Sequence, residues 1–129
     1  MTGPRRVASD SRFEDTIGFS RAVRVGERVV VSGTAPVWPD GSCPNDPAVQ
    51  ARRCFEIIQR ALEELGATSA NVVRTRMYLC DPADADAVGA AHEEIFGRVR
   101  PAATMVVVAA LLDPRWRVEI EAEAIVPEP

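Results

Sequence analysis

A chain of 129 residues, 47% hydrophobic and 26% charged, suits one domain, and no apolar run reaches the ~20 residues that a membrane-crossing helix needs. The formal charge of -4 argues against a partner held by its phosphate backbone, so no nucleic acid is expected. Cys43, Cys54 and Cys80 lie far apart and His92 is the single histidine, so neither a metal site nor a cofactor is expected.

Residues 1–15 are polar and without period, and read as a loose arm ahead of a single domain over residues 16–129. Two arginines in the arm are followed by no apolar stretch, so it is not read as a secretory signal and the expected location is cytoplasmic. "FSRAVRVG" (Phe19 to Gly26) alternates, and the pair Gly26-Glu27 joins it to "ERVVVSGTAP" as a tight hairpin. Val29, Val30 and Val31 form a continuous apolar run, the pattern of a strand buried on both faces. After a breaker-rich loop, Asp46 caps a helix with Pro47 at its first position. Ala51, Cys54, Phe55, Ile58, Leu62 and Leu65 recur at three- and four-residue steps as its apolar stripe, and Gly66 stops it. "NVVRTRMYLC" (Asn71 to Cys80) is the next strand. Asp81-Pro82 opens a second helix that runs to about Arg98, with Val88, Ala91, Ile95 and Val99 inward. Pro101 ends it, and two strands follow around Leu112-Asp113-Pro114.

The order β-β-α-β-α-β-β is an α+β layer with two helices on one face of a mixed sheet. Two helices cover one face only, yet Val29 to Val31, Met105 to Val108 and Val118 to Ile125 carry apolar residues at both parities. A second copy of the chain is the economical cover, so an oligomer is expected. In the last strand Glu119, Glu121 and Glu123 share one side and Val118, Ile120 and Ala122 the other. From the residues alone these carboxylates are either ion-paired in an interior or solvated at an edge.

The combination of Ser32-Gly33 in the second strand, Arg100-Pro101-Ala102 before the fourth and "VEIEA" in the fifth resembles the Rid family, over roughly residues 17–126. The family is also called YjgF, for reactive intermediate deaminase, and L-PSP endoribonuclease. The resemblance implies a chorismate-mutase-like fold and a homotrimer whose sheets enclose a central barrel, with small-molecule clefts between subunits. It also implies hydrolysis of enamines and imines to a 2-keto acid and ammonia. By position, Glu119 would hold the attacking water, Phe19 would close the cleft, and Ser32 and Gly33 would line it. Ala103, Thr104 and Met105 fall where the start of a strand contacts substrate, and Trp116 can wall the cleft.

Three departures bear on substrate. Ala103 stands where the family places an arginine that grips the substrate carboxylate. Phe19 lacks the hydroxyl of the commoner tyrosine, and Met105 replaces a frequent cysteine. An arginine fork makes two charge-assisted hydrogen bonds worth roughly 1.5–3 kcal/mol each, so its loss costs about a hundredfold or more in binding. Arg21, Arg28, Arg74, Arg76 and Arg117 are the cations that can take over, and Arg76 leads because its neighbours are apolar. The expectation is a Rid-like hydrolase with an altered substrate range. A ligand-binding protein without turnover ranks second and an endoribonuclease third, since single-strand binders combine a basic groove with stacking aromatics.

Overall fold

The computed structural model describes residues 3–127. Six strands, β1 (Arg5–Val7), β2 (Ala22–Val25), β3 (Arg28–Thr34), β4 (Val72–Leu79), β5 (Ala102–Val107) and β6 (Val118–Ile125), make one sheet in the order β1-β2-β3-β6-β4-β5. Only β4 and β5 run parallel, so the sheet is mixed. The helices α1 (Pro47–Glu64) and α2 (Ala85–Phe96) pack on one face. Among the described residues no helix is long and apolar enough to cross a membrane.

Local signals set the boundaries. The Asp46 carboxylate accepts from the amides of Ala48 and Val49 at 2.8 and 3.2 Å, satisfying donors that the first turn of α1 cannot. At the other end Gly66 takes φ +79°, and the amides of Gly66 and Ala67 return to the carbonyls of Glu63 and Leu62. All six residues of the α1 stripe are buried. Val25 pairs with Arg28, leaving Gly26-Glu27 as the two-residue turn, with Gly26 at φ +60°.

Alternation along β6 divides the layers. Val118, Ile120, Ala122 and Ala124 are buried beneath the helices with Val29, Val31, Met77 and Leu79. The opposite face differs from the expected apolar one. It carries Val30, Val106 and Ile125, all exposed, among Arg28, Arg74, Arg76, Tyr78, Glu119, Glu121 and Glu123. Apolar residues at both parities thus overstate its hydrophobicity, because charged side chains fill the gaps between the valines.

The arm also departs from expectation. Arg5–Val7 pair with β2 as an edge strand, and a short helical turn spans Glu14–Gly18. Guanidinium groups of Arg5 and Arg24 both donate to the Leu65 carbonyl, at 3.1 and 2.7 Å, where the C-terminal end of α1 attracts positive charge. The strand is therefore anchored by groups sixty residues away in the chain.

Gln50 is a fully buried polar residue on α1. Its amide donates to the carbonyls of Pro44 and Arg115 at 2.8 and 3.0 Å, and its oxygen accepts from the Arg117 amide at 2.7 Å. It thereby fixes the segment that leads into β6. Gln50→Leu would leave these groups without partners at roughly 1–3 kcal/mol each. Urea unfolding is expected to show a loss of about 3 kcal/mol or more.

Candidate functional site

The bulge in β3 shapes the site. Val31 pairs with Ala122 but Thr34 pairs with Ile120, so Ser32 and Gly33 form an irregularity beside Glu119. The Glu119 carboxylate lies where a side chain on Gly33 would go, and any Cβ there would overlap it. The absence of a side chain at Gly33 is thus what lets the acid lie against the bulge. Ser32 donates its hydroxyl to the Ser20 carbonyl at 2.6 Å, tying the bulge to the residue after Phe19.

A cleft of about 340 Å³ opens here, with Phe13, Phe19, Ser32, Gly33, Trp116 and Glu119 in its walls. Phe13 meets Trp116 edge to face at 5.9 Å. Ile17 and Leu112, 62% and 68% exposed, also border it. The structure thus brings together Phe19, Ser32, Gly33, Trp116 and Glu119. It adds Phe13, which sequence reasoning left out of the site, and gives Arg21, considered there only as a substitute cation, a place in the wall.

Arg21 organises this wall. It is 3% exposed and pairs at 3.2 Å with Glu14, itself 6% exposed. It also donates to the Gly33 carbonyl at 2.6 Å and to the Thr34 hydroxyl at 3.1 Å, and stacks over Phe19 at 5.3 Å. Ser9 and Glu14 hydrogen-bond each other beneath it. The stretch read as a loose arm is a wall of the cleft.

The three acids of β6 have different surroundings. Glu121 accepts from Arg76 at 3.2 Å and from the Tyr78 hydroxyl at 2.7 Å. Glu123 lies 3.7 Å from both Arg28 and Arg76. Glu119 forms no hydrogen bond or ion pair among the described residues. Burial pushes its carboxyl above the usual carboxylate range; the Arg21 charge pulls the other way and Glu121 adds repulsion. An acid held in this way takes up a proton more readily than an exposed carboxylate, which suits it to proton transfer.

The remaining expected site residues stand apart in a single chain. β4 lies between β6 and β5, so Ala103, Thr104 and Met105 are roughly 10 Å or more from Glu119. Met105 packs beneath α2 near Gly89. The Val108 amide bonds to the Leu79 carbonyl, so by alternation the amides of Ala103 and Met105 point to the free edge of β5. Arg76, the leading substitute cation, is committed to Glu121 and Glu123 instead. Arg117 is committed as well, through a two-pronged pair with Asp84 at 2.9 Å. His92 is remote from the cleft; it packs against Phe55 and Phe96 with Thr75 at 2.8 Å, and burial lowers its pKa.

A family model described as Endoribonuclease L-PSP matches residues 10–126. The chain belongs to this family, the Rid or YjgF/UK114 family. Among curated Rid relatives, an uncharacterised protein of Streptomyces coelicolor is 42% identical over 121 residues, covering 93% of this chain and 90% of its own. The 2-iminobutanoate/2-iminopropanoate deaminase of Escherichia coli is 33% identical over 112 residues, covering 83% and 86%. A crystal structure of a YjgF/YER057c/UK114 family member from Mycobacterium tuberculosis superposes with a TM-score of 0.89 at 44% identity, over 96% of this chain and all of that one. The YjgF protein of E. coli gives 0.83 at 29% identity, over 94% and 98%. The Rid fold is thus common to this chain and to both solved structures.

The raised pKa of Glu119 has a definite consequence for stability. Ionising it costs folding free energy, and this cost is fully present above its folded pKa. It disappears as pH falls to the unfolded value of about 4.3, where both states bind the proton. Glu119→Gln is therefore expected to be more stable than the native protein at pH 7, with the gain vanishing toward pH 4. Denaturant titrations at a series of pH values check this.

Proposed function

We propose that the chain is a small-molecule hydrolase acting on imines and enamines, with Glu119 as general base. The observation that carries this is a half-buried, unpaired carboxylate of raised pKa in a cleft walled by aromatic rings. A charge with no partner in such a place is costly to keep, and proton transfer is the use its chemistry suits. Kinship with a relative named for deamination of 2-iminobutanoate and 2-iminopropanoate supports the same class of reaction.

The reaction balances with one water. Ionised Glu119 accepts a proton from the water as its oxygen attacks the imine carbon, the C=N π electrons move to nitrogen, and Glu119 passes that proton to the nitrogen. The carbinolamine then collapses: Glu119 takes the hydroxyl proton as the C=O bond forms, the C–N bond breaks, and the same proton goes to the departing nitrogen, which leaves as ammonia. An enamine enters the same path after protonation at carbon. Phe19 and Trp116 keep bulk water from the reacting carbon.

The cleft is completed between copies of the chain, in a homotrimer of the kind the family resemblance implies. Exposed Ile17 and Leu112 at its rim and the outward amides of Ala103 and Met105 support this arrangement. Because Ala103 offers no guanidinium, the substrate range differs from that of arginine-bearing relatives.

Glu119→Gln is expected to cut the rate of 2-iminobutyrate hydrolysis by about a hundredfold or more, the usual range for loss of a general base. Binding of 2-oxobutyrate should persist in that variant. The native rate should rise with pH as Glu119 ionises, with a midpoint above the ordinary carboxylate range. Turnover unchanged in Glu119→Gln would reject the reading.

A further inference from the structure

Arg74 differs from every other arginine on the open face of the sheet. Arg28 and Arg76 each lie within ion-pair distance of a carboxylate. Arg74 is paired in register with Glu123, but that carboxylate lies against Arg28 and Arg76. Among the described residues Arg74 has no acidic partner. Its Nε is buried with no hydrogen-bond partner, and its one recorded contact is a long one, 3.4 Å from Nη2 to the Thr104 hydroxyl.

A guanidinium with an orphaned buried donor is an unsatisfied site. What surrounds it is suited to an anion. Arg74 pairs with Ala102 across the parallel ladder, so its side chain reaches the edge strand at the very start of β5. Thr104 offers a hydroxyl there, and the outward amides of Ala103 and Met105 are donors that no strand takes up. Among the described residues no carboxylate takes up any of these donors.

We infer that Arg74, with Thr104 and the free edge of β5, binds the carboxylate of a small 2-imino or 2-oxo acid. This rests on the hydrolase reading for the identity of the ligand. The geometry also fixes which Glu119 is served. Within one chain the Arg74 guanidinium reaches toward Thr104 on β5, while the Glu119 carboxylate lies against Gly33 on β3, three strand spacings or roughly 14 Å across the sheet. That span exceeds a four-carbon acid, so Arg74 grips a substrate whose reacting carbon faces Glu119 of a second copy. The guanidinium here springs from the strand beside β5 rather than from β5 itself. It therefore approaches from the open face of the sheet, and the accepted substrates should differ accordingly.

The test uses the full-length protein and 2-oxobutyrate as the probe, with binding followed by calorimetry and hydrolysis of 2-iminobutyrate followed in parallel. Arg74→Gln is expected to weaken 2-oxobutyrate binding and raise KM by roughly ten- to a hundredfold, with a smaller change in kcat. Arg74→Lys should recover part of the affinity, since it restores the charge but not the fork. Arg98→Gln, at an exposed position of equal charge, should bind as the native protein does. Equal affinity in Arg74→Gln and native protein overturns the inference, as does absence of any native binding at about 20 mM probe. Arg74-dependent binding without turnover in the native protein would reject the hydrolase reading and leave the anion site standing. Glu119-dependent turnover with KM unmoved in Arg74→Gln would do the reverse.

Discussion

The site depends on a buried guanidinium. Arg21 holds the turn at Glu14, the bulge at Gly33 and the ring of Phe19 in one arrangement. Each of these would otherwise be less constrained, since the bulge has left the regular ladder and the Glu14–Gly18 turn is a single short helical turn outside α1, α2 and the sheet. A buried ion pair contributes little net stability, because desolvation consumes most of the attraction. Its value here is geometric. The Gly33 carbonyl is pulled toward Arg21, which leaves the Cα side of that residue facing Glu119. The arm that carries Glu14 is drawn over the cleft by the same contact. Gln50 does the corresponding work at the opposite wall, fixing the backbone on either side of Trp116.

Against that frame, the chemistry follows from unequal sharing of charge. Three carboxylates project from one side of β6, and the cations beside them are placed so that two are neutralised. Arg76 reaches both Glu121 and Glu123, with Tyr78 completing the first and Arg28 the second. Half-exposed pairs of this kind are worth about 0–1 kcal/mol and do not hold the fold together. Their effect is to withhold positive charge from Glu119. Arg21, the nearest cation, is already matched by Glu14, so its pull on Glu119 is outweighed by burial. The same economy of partners isolates Arg74 at the other side of the sheet. One unmatched carboxylate and one unmatched guanidinium on opposite halves of the face are what the proposed cleft between copies would bring together.

How much of this the sequence displays depends on how local the cause is. Asp46-Pro47 and Gly66 delimit α1 through contacts within a few residues, and the helix lies where those signals put it. The two-residue period of β6 shows that its glutamates share a face. Which of the three is unpaired depends on antiparallel register with β4, and no local pattern encodes that. β1 was hidden for a related reason: its anchors are arginine contacts to the end of α1, so the segment has neither period nor apolar face. Arg21 looks like an exposed strand residue until Glu14, seven positions earlier, is folded onto it. A glycine inside a β-branched run did carry a readable signal, since Gly33 marks a bulge or a close approach. Of the two β4 arginines, Arg76 is matched by acids and Arg74 has no acidic partner among the described residues, a difference set by cross-strand register.

The central claim is that Glu119 is held protonated beyond its ordinary range by burial without a partner among the described residues. The direct measurement is the carboxyl 13C shift of Glu119 followed through a pH titration, assigned by loss of the resonance in Glu119→Gln. The account predicts a midpoint above the value of about 4.3 found for an exposed glutamate. A midpoint at or below that value would mean that the acid is solvated or ion-paired, and would contradict it.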